Sequence, residues 1–176
     1  MRYTARDQSE YEGYAHGPQH RRPGDHRHPS HDHRRLPQVY ALWEQINGFA
    51  LRSVDDSAAG IARFLERNPA TSVVAETAAG LIVGSILAGH DGRQGAFYHV
   101  CVAASYRKHG IGRRMVRTAL ATLHAEGISK VTLVAFSSNE VGNAFWERIG
   151  WTRRPDYNSY EFRLNEENII RFVKGE

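Results

Sequence analysis

The chain has one cysteine, Cys101, among 176 residues. A lone cysteine excludes an internal disulfide and fits a reducing compartment, so a cytoplasmic location is expected. No run of about 18 apolar residues occurs, so no membrane-spanning helix and no membrane partner are expected. Met1-Arg2-Tyr3-Thr4-Ala5-Arg6-Asp7 has no apolar stretch behind it, so no secretory leader is expected either. Two nucleotide-binding signatures are also missing. No Gly-x-x-x-x-Gly-Lys-Ser/Thr occurs, which removes a P-loop. No Gly-x-Gly-x-x-Gly opens an early βαβ unit, and the third position after Gly112 is Met115, which removes a dinucleotide fold. Excess charge is modest at +4, part of it from Arg21, Arg22, Arg27, Arg34 and Arg35. That basicity reads as a solvated tail rather than a nucleic-acid arm.

Residues 1–36 are rich in His, Arg, Pro and Gly and poor in aliphatics. They cannot bury enough apolar surface to offset the entropy of ordering, so a disordered tail is expected. Six of the ten histidines (His16, His20, His26, His28, His31 and His33) lie there. Without a companion Cys or acidic pattern they do not define a metal site, and none is assigned.

The pattern turns globular at Pro37. Residues 37–164 form the expected domain and 165–176 a short tail that can be helical. Val39, Leu42, Trp43 and Ile46 recur at helical spacing, closed by Gly48. Asp55 or Asp56 caps a second helix carrying Ile61, Phe64 and Leu65, ended by Asn68-Pro69. Thr71–Glu76 and Leu81–His90 read as strands, and Asp91-Gly92 as a hairpin. Ala96–Ala103 is apolar on both faces and belongs inside a sheet. A helix from Ile111 to Gly127, a strand at Lys130–Phe136 and a helix capped by Asn139 follow. Trp151–Arg154 and Ser159–Leu164 read as a closing antiparallel pair. The fold class is α+β with a mixed central sheet.

Chemistry concentrates after that central strand. Arg107-Lys108-His109 precedes Gly110-Ile111-Gly112, which opens a helix. Glycines admit a close ligand, the first N–H groups of the helix have no internal partner, and the dipole favours an anion. Arg107, Lys108, Arg113 and Arg114 add charge, so a phosphate or pyrophosphate is the expected ligand.

Arg107-x-x-Gly110-x-Gly112, with its lead-in Val102-Ala103-Ala104-Ser105-Tyr106, resembles motif A of the GNAT (Gcn5-related) N-acetyltransferase superfamily. Asn139-Glu140-Val141-Gly142-Asn143-Ala144-Phe145-Trp146-Glu147-Arg148-Ile149-Gly150-Trp151 resembles its motif B. Ala41-Leu42-Trp43-Glu44, Asp91-Gly92-Arg93 and Tyr98-His99-Val100 are similar to the YpeA-like group of small bacterial acetyltransferases. The resemblance covers roughly residues 37–164. It implies a mixed, mostly antiparallel sheet with splayed central strands. It implies acetyl-CoA as donor and a small-molecule or peptide amine as acceptor, joined by direct attack in a ternary complex. Backbone groups of Val100 and Val102 would pair with the pantetheine arm, and the Val100 N–H would polarise the thioester carbonyl. Arg107, Lys108, His109, Gly110, Ile111, Gly112 and Arg113 would hold the pyrophosphate, and Asn139 would bond the pantetheine. Trp43, Arg52, Asp55, Asp56, His90 and Arg93 fall on segments flanking the acceptor cleft. A non-catalytic acyl-CoA-binding module of the same fold is the alternative, and a homodimer is left open.

The pattern departs from the family in three places. Trp146 stands where many relatives carry a tyrosine that protonates the leaving thiolate. Indole can donate a hydrogen bond but cannot usefully give up a proton, so Trp146 is read as packing against the cofactor ahead of a catalytic hydrogen bond to the leaving sulfur. Val134 replaces the glutamate of the ribosomal-protein enzymes, against that substrate class. The region where a first strand is expected, residues 26–32, is poor strand material. For the acceptor's proton, His99 is the candidate base on the central strand, with a hydrogen-bonded sheet histidine or a water relay as alternatives. Strict alternation would send Tyr98 and His99 to opposite faces, leaving one of them in the cleft.

Overall fold

The structure, a computed structural model, describes residues 35–174. The histidine-rich tract and the stretch expected to hold a first strand lie outside the described residues.

The longest helix shows why the chain folds in layers. In α3 (Ile111–Ala125), Ile111, Met115, Ala119 and Leu123 recur every fourth residue and are buried. Its end is a Schellman turn: the Gly127 N–H donates to the His124 carbonyl and the Ile128 N–H to the Leu123 carbonyl. Gly127 takes φ +83°, which glycine adopts without Cβ strain.

Before it lie α1 (Leu36–Trp43), β1 (Ala50–Arg52), α2 (Ala58–Arg67), β2 (Val73–Glu76), β3 (Ile82–His90) and β4 (Gly95–Val102). After it come β5 (Val131–Leu133), α4 (Glu140–Arg148) and β6 (Ile170–Phe172). The main sheet has the order β2-β3-β4-β5, antiparallel except for the parallel β4–β5 pair. It is therefore mixed and mostly antiparallel, and the fold is α+β. Helices α1 and α2 cover one face, where Trp43, Ile61, Leu65, Leu87 and Cys101 share a core. Helix α3 covers the other face, packing Ile111, Met115 and Leu123 over Val83, Ile86 and Phe97. Two covered faces explain why β3 is buried along nearly its whole length.

Three elements differ from the sequence expectation. Helix α2 is capped by Ser57, whose hydroxyl accepts from the Gly60 N–H at 3.0 Å, rather than by either aspartate. Residues 151–154 and 159–164 form no strands. The tail expected to be helical instead supplies β6, which pairs antiparallel with β1, a strand the helical pattern had hidden. The tail is held because Val173 is buried in the α1 core and Asn168 ties down the Val54–Asp55 turn.

Candidate active site

The loop leaving β4 turns through a short 3₁₀ segment, Ala104–Tyr106, to the start of α3. Gly110 is the N-cap at φ +75°, and Lys108 is also left-handed at φ +64°. The loop folds back on itself. Arg107 Nε donates to the Val102 carbonyl at 2.9 Å, and an Arg114 amino group donates to the His109 carbonyl at 3.1 Å. Arg107, Lys108, His109 and Arg113 are exposed around the helix start. No Asp or Glu occurs between Asp91 and Glu126, so no carboxylate of this segment offsets that charge. Unsatisfied helix N–H groups, a dipole and an acid-free cationic rim suit a pyrophosphate. Gly112 serves packing as well: a Cβ there would meet the Phe145 ring at 3.3 Å, so its absence lets α4 approach α3.

Beside the loop the sheet opens. Strands β4 and β5 pair only over Gly95–Phe97 and Val131–Leu133, and then diverge. The Ala103 N–H donates to the Val83 carbonyl, toward β3. By alternation, the backbone groups of Val100 and Val102 point the other way, into the opening. An extended ligand can add there as a short strand, with its anionic end at α3.

On the other side of β4 lies the feature that sequence reasoning missed. The β3–β4 register runs Ser85 opposite Cys101 but Leu87 opposite Tyr98, so Ile86 alone faces His99 and Val100. This bulge puts His99 at φ +47° and breaks the alternation. Tyr98 and His99 consequently both turn to the α1–α2 face, contrary to the expectation that they oppose. Tyr98 is 52% exposed and meets Phe64 edge-on, with ring centroids 5.9 Å apart. His99 lies against Trp43 and Phe49, at 4.5 and 5.3 Å between ring centroids. Its Nε2 is 2.6 Å from Asp56 Oδ1, with side chains only 10% and 6% exposed. The other Asp56 oxygen accepts from the Arg52 N–H at 2.6 Å.

A buried polar chain continues behind the ring. Trp43 Nε1 donates to Ser85 Oγ at 2.8 Å, and Ser85 Oγ donates to the His99 carbonyl at 3.3 Å. Ser85 Oγ also lies 3.4 Å from Cys101 Sγ. Burial pushes the Cys101 thiol up to about 11, which keeps it protonated and marks a packing residue rather than a nucleophile.

The remaining expected residues scatter. Trp43 is fully buried, so it supports His99 instead of lining the cleft. Asp55 is exposed and accepts from Asn168, while Arg52 contributes its backbone to Asp56. His90 and Arg93 sit at the hairpin end of β4, away from Val102. There His90 bonds Glu126 at 2.7 Å, and the Arg93 N–H donates to Asp91. Asn139 caps α4 by accepting from the Gly142 N–H at 2.9 Å, leaving its amide N–H groups for a ligand. Trp146 packs between Phe145 and Trp151, at 5.0 and 4.9 Å. Between α1 and the Ser53–Ala58 turn runs a groove of about 630 Å³, with Tyr40, Glu44 and Asp56 on its walls.

A sheet that opens beside a cationic helix start defines a class: an α+β protein built to hold an extended, anionic-tailed ligand between two strands. A sequence model of the acetyltransferase (GNAT) family matches residues 26–151, and the chain belongs to that family. It is similar to an acetyltransferase of Sodalis glossinidius (strain morsitans), 33% identical over 117 residues, covering 66% of this chain and 80% of that one. Among solved structures it resembles the aminoglycoside N-acetyltransferase AAC(6')-Iy in complex with CoA. That match has a TM-score of 0.61 and 14% identity, and covers 81% of this chain and 97% of the other. The same enzyme with a bisubstrate analogue, CoA-S-monomethyl-acetylneamine, gives a TM-score of 0.58 at 17% identity, covering 81% and 99%.

Proposed function

We propose that this acetyltransferase moves an acetyl group from acetyl-CoA to a primary amine of a small molecule or peptide, by direct attack in a ternary complex. The observation that carries the reading is the divergence of β4 from β5 after Phe97, beside the acid-free start of α3. Acetyl-CoA supplies the activated acyl group. Arg107, Lys108, Arg113 and the N–H groups from Gly110 to Arg113 hold its pyrophosphate. The outward edge of Val100 and Val102 pairs with the pantetheine, and Asn139 donates to it from the start of α4. The Val100 N–H polarises the thioester carbonyl. The amine enters from the α1–α2 side, along Tyr98, and His99 accepts its proton. The amine nitrogen then bonds the acyl carbon, the C–S bond breaks, and its electron pair leaves on sulfur. A thiol titrates near about 8.5, so the thiolate departs without the tyrosine that Trp146 replaces.

Thiol release would be followed with acetyl-CoA and a panel of diamines, amino sugars and lysine peptides. Turnover on at least one amine is expected. Tight acetyl-CoA binding without turnover on any of them would instead make the chain a binding module. Arg107→Glu should weaken acetyl-CoA binding by about tenfold or more, as expected from losing a charge-assisted contact, with the fold intact. Unchanged affinity would remove the pyrophosphate assignment.

A further inference from the structure

The role of Asp56 rests on the proposed function, in which His99 is the proton acceptor. A free histidine offers either ring nitrogen as the base and swings about two side-chain bonds. Here both freedoms are removed. Trp43 and Phe49 flank the ring, and the carboxylate of Asp56 meets Nε2. An ionised carboxylate can only accept, so the nitrogen facing it must carry the proton. The lone pair is then on Nδ1, the nitrogen nearer the β4 backbone. Asp56 is itself fixed. Its second oxygen takes the Arg52 N–H, its own N–H donates to the Arg52 carbonyl at 3.1 Å, and the next residue caps α2. The neighbouring ionisable groups do not compete for the ring. Asp55 bonds Asn168, Glu44 bonds Arg171, Cys101 lies against Ser85, and Tyr40 packs on Trp43.

We propose that Asp56 is a positioning residue: it holds His99 in the Nε2–H form with Nδ1 free to take the proton of the acceptor ammonium. One proton passes from the ammonium to Nδ1, and Asp56 balances the imidazolium so formed. The second leaves the attacking nitrogen as the C–S bond breaks and goes to the departing sulfur. The imidazolium returns its proton to water.

Long-range ¹H–¹⁵N correlation of the histidine rings in the full chain reads the tautomer directly. Acetyl transfer to a lysine peptide and to a short diamine reads its consequence. Wild type is expected in the Nε2–H form. Asp56→Asn, whose amide can donate to Nε2, should switch His99 to Nδ1–H. It should lower kcat by about 10²-fold, with KM for acetyl-CoA within about twofold. Asp56→Glu should recover part of the rate. Adding Asp56→Asn to His99→Gln should cost nothing further, because both remove one function. A wild-type Nδ1–H form, or Asp56→Asn with the tautomer or kcat unchanged, overturns the proposal while leaving the transferase reading intact. A wild type that acetylates neither these probes nor any amine of the panel overturns both.

Discussion

Cys101 carries a pH signature of its own. Desolvation raises its thiol from 9.0 to about 11 in the folded chain, against a partial lowering by Ser85. Between those values the folded state keeps a proton that the unfolded state has released. Stability contributed by that proton is therefore full below about 9 and falls as pH rises toward about 11. Cys101→Ala should flatten this part of the alkaline loss, whatever its packing cost, when urea midpoints of the two proteins are compared across that window. An equal slope for both would remove the assignment. At residue scale, composition and motif made the cationic loop readable, because Arg107 to Gly112 is contiguous. Asp56 and His99 were each singled out, but their pairing was not readable, since they are 43 residues apart and nothing local joins them.

Elements show where local chemistry governs the site. Ser57→Ala removes the α2 cap and should cost about 1 kcal/mol of stability. It also loosens the turn that holds Asp56, so kcat should fall more than the affinity for acetyl-CoA. Steady-state kinetics beside chemical denaturation would check this, and a stability loss with kcat untouched would separate the turn from the reaction. At the α3–α4 contact, Gly112→Val should push against Phe145 and cost about 1–3 kcal/mol by overpacking. Acetyl-CoA affinity should drop with it, because the helix start moves; calorimetric titration with CoA reads that directly. Helical and strand periodicity made α1, α2, α3, β3 and β4 legible to within a few residues. Periodicity is blind to a bulge, however. The extra residue at His99 exists only relative to Ile86 on the neighbouring strand, so the face to which Tyr98 turns could not be read from β4 alone.

Over the whole molecule, the last described residues hold the β1 and α1 side together. Strand β6 pairs with β1, Val173 fills the core beside Trp43, and Asn168 holds the Val54–Asp55 turn. A chain ended after Asn165 should lose about 2–4 kcal/mol, the scale of one emptied core site with its tether. It should acetylate more slowly, while CoA binding at α3 weakens less. Thermal denaturation with and without CoA would test this, and a truncated chain of wild-type stability would make the tail dispensable. This tether was hidden in the sequence because Ile170–Phe172 is only three residues long and needs a distant, equally short partner. The alternation of Tyr160, Phe162 and Leu164 fitted a strand better by pattern, yet these side chains stand exposed in irregular chain.

The bulge opposite Ile86 makes the proposed reaction centre depend on chain length rather than on side-chain identity. Deleting one residue from His99-Val100 would restore a regular ladder, with Tyr98 and Cys101 keeping the face they share with Leu87 and Ser85. The one residue left opposite Ile86 would point toward α3, and the α1–α2 face would lose the ring that now meets Asp56. A one-codon deletion here is thus an on–off change in geometry, whereas most substitutions along the same strand are gradual.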